Sequence, residues 1–233
     1  MNGSLQAIVF DFDGVIADSE PLHLRAFQQA LGDIGLALDR DDYFARYLGY
    51  DDVGVFEALS RDRALGWTAA RVAELVDLKG QKLRALMHGG EVLFPGALAF
   101  ITAAADAVPI AIASGALRHE ILEILEGAGI ANLFSTIVSS GDTPESKPSP
   151  APYRLAYERL VDARGPIDPR RCVAIEDSAW GIQSAIGAGL RCVGVTNSYA
   201  ADQLTGAELI VGGLHNLSLS ALDQLCAGGG RRP

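Results

Sequence analysis

The order of apolar and polar positions divides the chain into two kinds of segment. The short run 7–10 is apolar throughout, which is typical of a strand buried on both faces of a parallel sheet. From about Glu20 to Met87, by contrast, apolar residues recur near the helical period, and no strand is predicted. Helices are expected there over about 20–32, 40–47, 52–61 and 68–86.

After Pro95-Gly96 the predicted strands and helices alternate. We expect strands over 108–113, 136–139, 172–175, 191–195 and 209–211, and helices over 97–107, 118–126, 151–160 and 180–187. This alternation indicates a parallel sheet with helices on both faces. The sequence therefore predicts an α/β fold with a Rossmann-like parallel-sheet core. The core would be formed by residues 1–17 and 92–233, with an all-helical domain inserted over 18–91.

Composition and charge narrow the possible partners. The chain has 233 residues, of which 49% are hydrophobic and 21% charged, as in ordinary globular proteins. The formal net charge of -10 disfavours nucleic acids and anionic membranes as partners. We find no apolar run of the roughly 18 residues that a membrane span needs, and we expect no signal peptide. The sequence therefore predicts a cytoplasmic monomer that acts on a small molecule.

Polar side chains follow the predicted strands of the alternating part. The carboxyl ends of parallel strands meet at one edge of a sheet, and ligands of open α/β sheets bind in the crevice beyond that edge. Taken singly, each of these residues could be a helix cap or a solvated charge. Their recurrence at the strand ends instead indicates a site. The residues are Asp11, Asp13, Ser114, Lys147, Glu176 and Asp177.

The residue types of this set indicate phosphoryl-transfer chemistry with a metal ion. Several carboxylates without histidine or cysteine form a site of hard oxygen ligands, which suits Mg²⁺. A carboxylate can attack a phosphoryl group and form an aspartyl-phosphate, while a second carboxylate moves protons. A lysine and a hydroxyl group would stabilise the charge on the phosphoryl oxygens. We therefore expect Asp11 and Asp177 to be direct Mg²⁺ ligands.

In these motifs the chain resembles the haloacid dehalogenase superfamily, in the branch with a helical cap. That branch includes β-phosphoglucomutase and many sugar-phosphate phosphatases. The resemblance covers nearly the whole chain and rests on Asp-Phe-Asp-Gly-Val at 11–15, Ser114, Lys147-Pro148, and Glu-Asp-Ser at 176–178 followed by Gly181.

The resemblance also implies a role for each residue of these motifs. Asp11 would be the nucleophile, and Asp13 the acid and base as well as a metal ligand through its carbonyl. Ser114 and Lys147 would bind the phosphoryl group. Asp177 would ligate Mg²⁺ directly, and Glu176 through water. The inserted helices would form a cap over the site.

Further residues are candidates for substrate binding. By the resemblance, His23 and Lys79 match two cap residues of β-phosphoglucomutase, while Gly49 precedes the place where the mutase has a phosphate-binding arginine. This chain instead reads Tyr-Asp-Asp at 50–52, which would repel a second phosphate. Gly115 and Arg118 are candidates on the core side.

The expected function follows from these residues. We expect a Mg²⁺-dependent phosphatase that hydrolyses a small phosphorylated metabolite, a sugar phosphate in our interpretation. The alternative is a phosphosugar mutase of the β-phosphoglucomutase type, in which water is kept away from the aspartyl-phosphate. A catalytically inactive binding protein is a third hypothesis, and the intact set of polar residues argues against it. Dehalogenation is disfavoured because dehalogenases lack the second aspartate of the motif.

Overall fold

The computed structural model describes residues 4–47, 50–87 and 92–228, and the chain divides into two compact units. The first, here called the sheet unit, comprises Met1–Asp18 and Val92–Pro233. The second, the helical unit, comprises Ser19–Glu91. In the described ranges no helix is long and apolar enough to cross a membrane.

The sheet unit is built on a parallel sheet, as the alternation of elements predicts. Within the described residues the sheet has six strands in the order β3-β2-β1-β4-β5-β6, and every pair of neighbours is parallel. The α/β fold with a Rossmann-like sheet is therefore confirmed. The strands are β1 (Ala7–Phe10), β2 (Ile110–Ala113), β3 (Thr136–Val138), β4 (Cys172–Glu176), β5 (Arg191–Val195) and β6 (Leu209–Val211).

Helices cover both faces of this sheet because its inner strands are apolar on both sides. One face packs against Tyr153 and Leu160 of α7 and Ile182 of α8, while on the other Phe10 meets Phe100 of α5 edge to face. The helices of the sheet unit are α5 (Ala97–Ala107), α6 (Arg118–Gly127), α7 (Ala151–Arg164), α8 (Ala179–Gly187) and α9 (Leu219–Ala227).

The pairing of β1 with its neighbours determines where the polar residues lie. Phe10 pairs with Ile112 of β2 and with Ile175 of β4. The residues that follow these three strands therefore come out at one edge of the sheet. Directly after β1, the Asp11 N–H still donates to the Ile175 carbonyl at 2.9 Å, so the nucleophile candidate is anchored to the sheet backbone.

The chain makes a tight turn after Asp11 and leaves the sheet unit at a neck, where two chain segments are joined by an isolated β-bridge. Gly14 adopts a φ of 76°, a conformation that favours glycine. At the neck, Ala17 forms an antiparallel bridge with Leu93, and the Asp18 N–H donates to the Val92 carbonyl at 2.8 Å. The residues that flank the inserted segment on its two sides are thus hydrogen-bonded to each other.

The helical unit consists of α1 (Glu20–Gly32), α2 (Arg40–Arg46), α3 (Asp52–Asp62) and α4 (Ala69–Met87). The structure confirms the four predicted helices in this segment. Their shared core contains a cluster of aromatic rings among aliphatic side chains: the Phe27 ring lies 5.2 Å from the Phe56 ring and 5.8 Å from the Tyr43 ring. Such aromatic pairs add to the stabilisation that burial itself provides.

Strand β2 begins at Ile110 rather than at 108, other elements shift by one residue, and two larger differences from the prediction occur in the sheet unit. Helix α7 runs to Arg164, four residues beyond its predicted end, and stops at Gly165, whose φ of 91° an L-residue rarely adopts. Helix α9 was not predicted at all. Its start is nevertheless visible in the sequence, because the Ser218 side chain caps it by accepting a hydrogen bond from the Ala221 N–H.

Candidate active site

Asp11 and Lys147 form the centre of the site. Asp11 is 8% exposed, and its Oδ1 atom lies 2.7 Å from the Lys147 Nζ. The same Oδ1 accepts a hydrogen bond of 2.7 Å from the Phe12 N–H. Lys147 comes from the polar loop between β3 and α7, so two segments far apart in sequence meet here. The Asp11 carboxylate is therefore held in a single orientation at the end of β1.

Glu176 is fully buried at the end of β4 and bonded at both carboxylate oxygens. Its Oε1 accepts from the Lys147 Nζ at 2.7 Å and from the Tyr153 hydroxyl at 2.9 Å. Its Oε2 accepts from the Ser178 hydroxyl at 3.0 Å and from the Asp177 N–H at 3.1 Å. Both oxygens thus have protein donors, which fits a group that acts on a metal through water better than one that ligates it directly.

Gly181 makes the position of Glu176 possible. A Cβ atom added at Gly181 would lie only 1.9 Å from Glu176 Oε1, far inside the contact distance of two atoms. The residue is buried in the first turn of α8, beside the cap that Ser178 forms by accepting from the Gly181 N–H. A glycine is therefore required here by space rather than by backbone conformation.

Residues of three loops lie around the Asp177 carboxylate. It is 6% exposed, and its Oδ2 accepts a hydrogen bond from the Ser198 hydroxyl, which belongs to the loop after β5. A Cβ atom at Gly14 would stand 1.8 Å from the same oxygen. The loops after β1, β4 and β5 therefore converge on one carboxylate oxygen.

The carboxylates of this site have unusual proton affinities. Burial raises the pKa of Asp11 well above its ordinary value, and the charge of Glu176 raises it further, against the opposing effect of Lys147. Burial also raises the pKa of Asp177 to about 6, although the hydrogen bond from Ser198 opposes this rise. Burial alone would lower the pKa of Lys147, but the charges of Asp11 and Glu176 raise it overall. Lys147 therefore stays charged, while the carboxylates lie close enough together to repel one another.

A divalent cation would relieve the electrostatic repulsion between these carboxylates. Asp11, Glu176 and Asp177 each offer a carboxylate oxygen, and these oxygens all lie within 4.8 Å of one another. Three buried carboxylates against the single ammonium group of Lys147 carry an excess of negative charge. The donor set consists of oxygens alone, which suits a hard cation such as Mg²⁺. The residues present therefore fit the expected metal.

Ser114 and Asp13 lie at the same edge of the sheet. Ser114 is 4% exposed directly after β2, where its N–H donates to the Val138 carbonyl at 2.9 Å and its Oγ accepts from the Ala116 N–H. Asp13 is half-buried in the turn after β1 and forms a bridge with Ala17. Gly115 is exposed next to Ser114. The expected convergence at the strand ends is thus present in the structure.

The guanidinium group of Arg118 already has hydrogen-bond acceptors within the protein. Its guanidinium donates to the Asp142 carboxylate at 2.7 Å and to the Ile137 carbonyl at 2.8 Å. The pKa of Asp142 lies below its usual value. Burial alone would raise this pKa, but the hydrogen bonds from the Ser139 N–H and from Arg118 outweigh that effect. Arg118 therefore ties down the start of the loop that carries Lys147.

The helical unit brings together two of the predicted substrate-binding residues. Lys79 has no exposed surface, and its Nζ lies 2.9 Å from His23 Nδ1 and within 2.9 Å of both carboxylate oxygens of Asp52. The Phe27 ring lies below the ammonium group, 4.9 Å from it. Burial and the charge of Lys79 lower the pKa of His23 to about 4, against the effect of Asp52. Gly49 lies outside the described residues.

Sequence reasoning missed three residues that hold this site together. Tyr153 carries a hydroxyl group bonded to Glu176, Ser198 binds Asp177, and Asn197 donates to the Gly14 carbonyl at 2.8 Å. Two sequence signals were available for them. Asn197 and Ser198 directly follow β5, as the other polar residues follow their strands, and Tyr153 lies in the first turn of α7 after the lysine loop.

The comparisons with known proteins agree with this geometry. The family model described as haloacid dehalogenase-like hydrolase matches residues 5–189. Protein CbbY of Cereibacter sphaeroides is 31% identical over 93% of this chain and 98% of its own length. A phosphoglycolate phosphatase of Yersinia pseudotuberculosis is 30% identical over 84% of this chain and 83% of its own.

A solved structure shows the same fold. The crystal structure of a mutant of CbbY from Rhodobacter sphaeroides in complex with xylulose-(1,5)bisphosphate superimposes with a TM-score of 0.75. It is 30% identical in sequence and covers 94% of this chain and 99% of its own. On the evidence of the family model and of these relatives, the chain belongs to the family of haloacid dehalogenase-like hydrolases.

Proposed function

We propose that the protein is a Mg²⁺-dependent phosphatase that hydrolyses a sugar phosphate, with Asp11 as the nucleophile. The observation that carries the proposal is the buried Asp11 carboxylate, held by Lys147 beside Glu176 and Asp177 at the end of the central strands. Buried ionisable groups that perturb one another's pKa are typical of catalytic sites.

The reaction has two steps at the phosphorus atom. An oxygen of the Asp11 carboxylate attacks the phosphorus, and the bond from phosphorus to the ester oxygen breaks while Asp13 gives that oxygen a proton. Asp13, now a carboxylate, then takes a proton from a water molecule that attacks the aspartyl-phosphate. Inorganic phosphate leaves and Asp11 is restored. Lys147 and Ser114 balance the negative charge of the phosphoryl oxygens in both steps.

Asp11, Asp177 and the backbone carbonyl of Asp13 would hold the Mg²⁺ ion, and Glu176 would act on it through water. The ion would supply positive charge that allows an anionic phosphate to approach an anionic carboxylate. Lys147 already provides part of this charge, since its ammonium group lies 2.7 Å from both Asp11 and Glu176.

The relatives offer two kinds of substrate. The mutant CbbY is bound to a bisphosphate sugar, and the Yersinia relative is named for phosphoglycolate. A bisphosphate needs positive charge for both of its phosphates. The mutase has an arginine for the second one, which the resemblance places just after Gly49, where this chain has Tyr-Asp-Asp at 50–52. Lys79 is then the candidate cation of the inserted helices, and Arg118 is another in the sheet unit. In this chain Asp52 already binds the ammonium group of Lys79. This pairing favours a substrate with a single phosphate.

Release of inorganic phosphate tests the proposal. We expect the purified protein to release phosphate from one or more sugar monophosphates when Mg²⁺ is present, and to stop when EDTA removes the metal. Incubation with β-glucose 1-phosphate and a trace of glucose 1,6-bisphosphate separates hydrolysis from isomerisation. Accumulation of glucose 6-phosphate with little phosphate released would overturn the phosphatase proposal in favour of a mutase.

A further inference from the structure

We infer that Ser198 is a positioning residue for the metal ligand Asp177. The inference rests on the proposed function, because it assigns Asp177 to Mg²⁺. Its basis is the hydrogen bond from the Ser198 hydroxyl to Asp177 Oδ2, between an exposed serine and a carboxylate that is only 6% exposed. The bond occupies one oxygen of the carboxylate and limits its rotation, so that the carboxylate is held in one orientation beside Asp11 and Glu176.

The loop that carries Ser198, residues 196–199, is fixed at several points. The Thr196 N–H donates to the Val211 carbonyl at 3.0 Å, which continues the pairing of β5 with β6. The Asn197 amide donates to the Gly14 carbonyl at 2.8 Å. An exposed serine on a loose loop would hold nothing in place, but these bonds give Ser198 a defined position relative to the loop after β1.

An aromatic pair fixes the far side of the same loop. The Tyr199 ring lies 5.4 Å from the Trp180 ring, edge to face. Trp180 is the second residue of α8 and lies only three residues after Asp177. The loop after β5 is thus packed against the segment that contains the metal ligand, and Ser198 lies between the two contacts.

The lack of a side chain at Gly14 leaves space beside Asp177 Oδ2 for the Ser198 hydroxyl group. A Cβ atom at Gly14 would lie 1.8 Å from Asp177 Oδ2 and 2.7 Å from Ser198 Oγ. A side chain at position 14 would therefore displace both partners. Hydrogen-bond partners of metal-ligating carboxylates orient their ligands, and their loss typically weakens metal binding by about 10- to 100-fold.

Calorimetric titration of the metal-free protein with Mg²⁺ tests the inference without reference to turnover. We expect Ser198→Ala to raise the Kd for Mg²⁺ about 10-fold, in line with the loss of such a partner. Ser198→Thr keeps the hydroxyl group and should restore most of the affinity. The matched control is Ser220→Ala, which removes the hydroxyl of an exposed serine in α9 and should leave the Kd unchanged.

A second measurement distinguishes positioning from a general loss of structure. At saturating Mg²⁺ we expect Ser198→Ala to regain most of the wild-type kcat with an unchanged KM for the phosphate ester and an unchanged Tm. A Kd equal to that of the wild type in Ser198→Ala, or a Kd equally weakened in Ser198→Thr, would overturn the inference alone. If the wild-type protein itself binds no Mg²⁺, the proposed metal dependence fails instead, and the inference fails with it.

Discussion

Asp52 and Lys79 form an ion pair inside the helical unit, in which the Lys79 Nζ lies 2.7 and 2.9 Å from the two carboxylate oxygens of Asp52. The lysine side chain is completely buried, while that of Asp52 is 32% exposed. Asp52 therefore compensates a charge that has no access to water. The same ammonium group contacts His23 Nδ1, and burial together with the charge of Lys79 keeps this histidine neutral against the effect of Asp52, with its proton on Nε2.

We expect Asp52→Asn to destabilise the protein by about 2 kcal/mol, because it leaves the buried Lys79 ammonium group without its counter-charge. This value is below the roughly 3–5 kcal/mol of a fully buried pair, because Asp52 is partly exposed. Urea unfolding measures this loss. The matched control is Asp33→Asn, because Asp33 pairs with Lys82, another lysine of α4, but 51% of the Asp33 side chain is exposed. An exposed pair contributes less than about 1 kcal/mol. Equal losses in the two variants would show that burial is not the cause.

The lowered pKa of His23 predicts a pH dependence of stability. The pKa is about 4 in the folded protein and about 6.5 in the unfolded chain. Between these values the unfolded chain binds more protons, so stability falls as the pH falls from 6.5 towards 4. At pH 5 the loss from this residue is on the order of 2 kcal/mol relative to neutral pH.

Comparison of the wild type with His23→Gln isolates this contribution. The groups that face His23 are Lys79 from α4 and Asp52 from α3, and both remain in the variant. We expect the free energy of unfolding to fall less steeply between pH 7 and pH 5 in His23→Gln than in the wild type. Parallel pH profiles would mean that His23 does not titrate in this window.

Gly181→Ala tests the space that Glu176 requires. The added Cβ atom would lie 1.9 Å from Glu176 Oε1, so the carboxylate or α8 has to move. Overpacking of this kind costs about 1–3 kcal/mol, and we expect phosphatase activity to fall at least about 10-fold as Glu176 is displaced. In the control Gly127→Ala, nothing lies within 4 Å of the added atom, and stability should be unchanged or higher. Normal activity in Gly181→Ala would contradict the role given to Glu176.

Asp11→Asn tests the nucleophile. The amide keeps the shape of the side chain but cannot attack phosphorus, so we expect kcat to fall on the order of 10³-fold or more. The Tm should not fall, because the variant removes one of the crowded buried carboxylates whose ionisation burial opposes. Asp162→Asn, at an exposed position of α7, is the control and should leave kcat unchanged. Substantial turnover in Asp11→Asn would exclude an aspartyl-phosphate at this residue.

The sequence predicted the part of the site that sheet geometry dictates. The carboxyl ends of parallel strands share an edge, so residues that directly follow β1 and β4 must lie close together. Asp11, Glu176 and Asp177 meet for this reason. Lys147 lies well beyond the end of β3, and its contact with Asp11 depends on the path of a long loop. The family resemblance, rather than strand geometry, pointed to that contact.

The remaining contacts depend on tertiary packing that no local pattern encodes. Asp52 and Lys79 are on different helices, 27 residues apart, and their pairing follows from how α3 and α4 pack. The acidic residues Asp51 and Asp52 were interpreted as repelling a phosphate, whereas the structure shows that Asp52 binds a lysine. Similarly, the hydroxyl of Ser198 reaches Asp177 only because β5 is the neighbour of β4 in the sheet.

The neck between Ala17 and Leu93 allows the inserted helical segment to be replaced by a different one. Because the two chain segments at the neck are hydrogen-bonded, the inserted segment leaves and re-enters the sheet unit at one place, and the entropic cost of bringing its ends together rises only with the logarithm of its length, by about 0.6 kcal/mol for each doubling. Paired residues of antiparallel strands are about 5 Å apart, a gap that a two-residue turn can close. Segments of very different length can therefore be joined here without disturbing β1 or the residues that follow it.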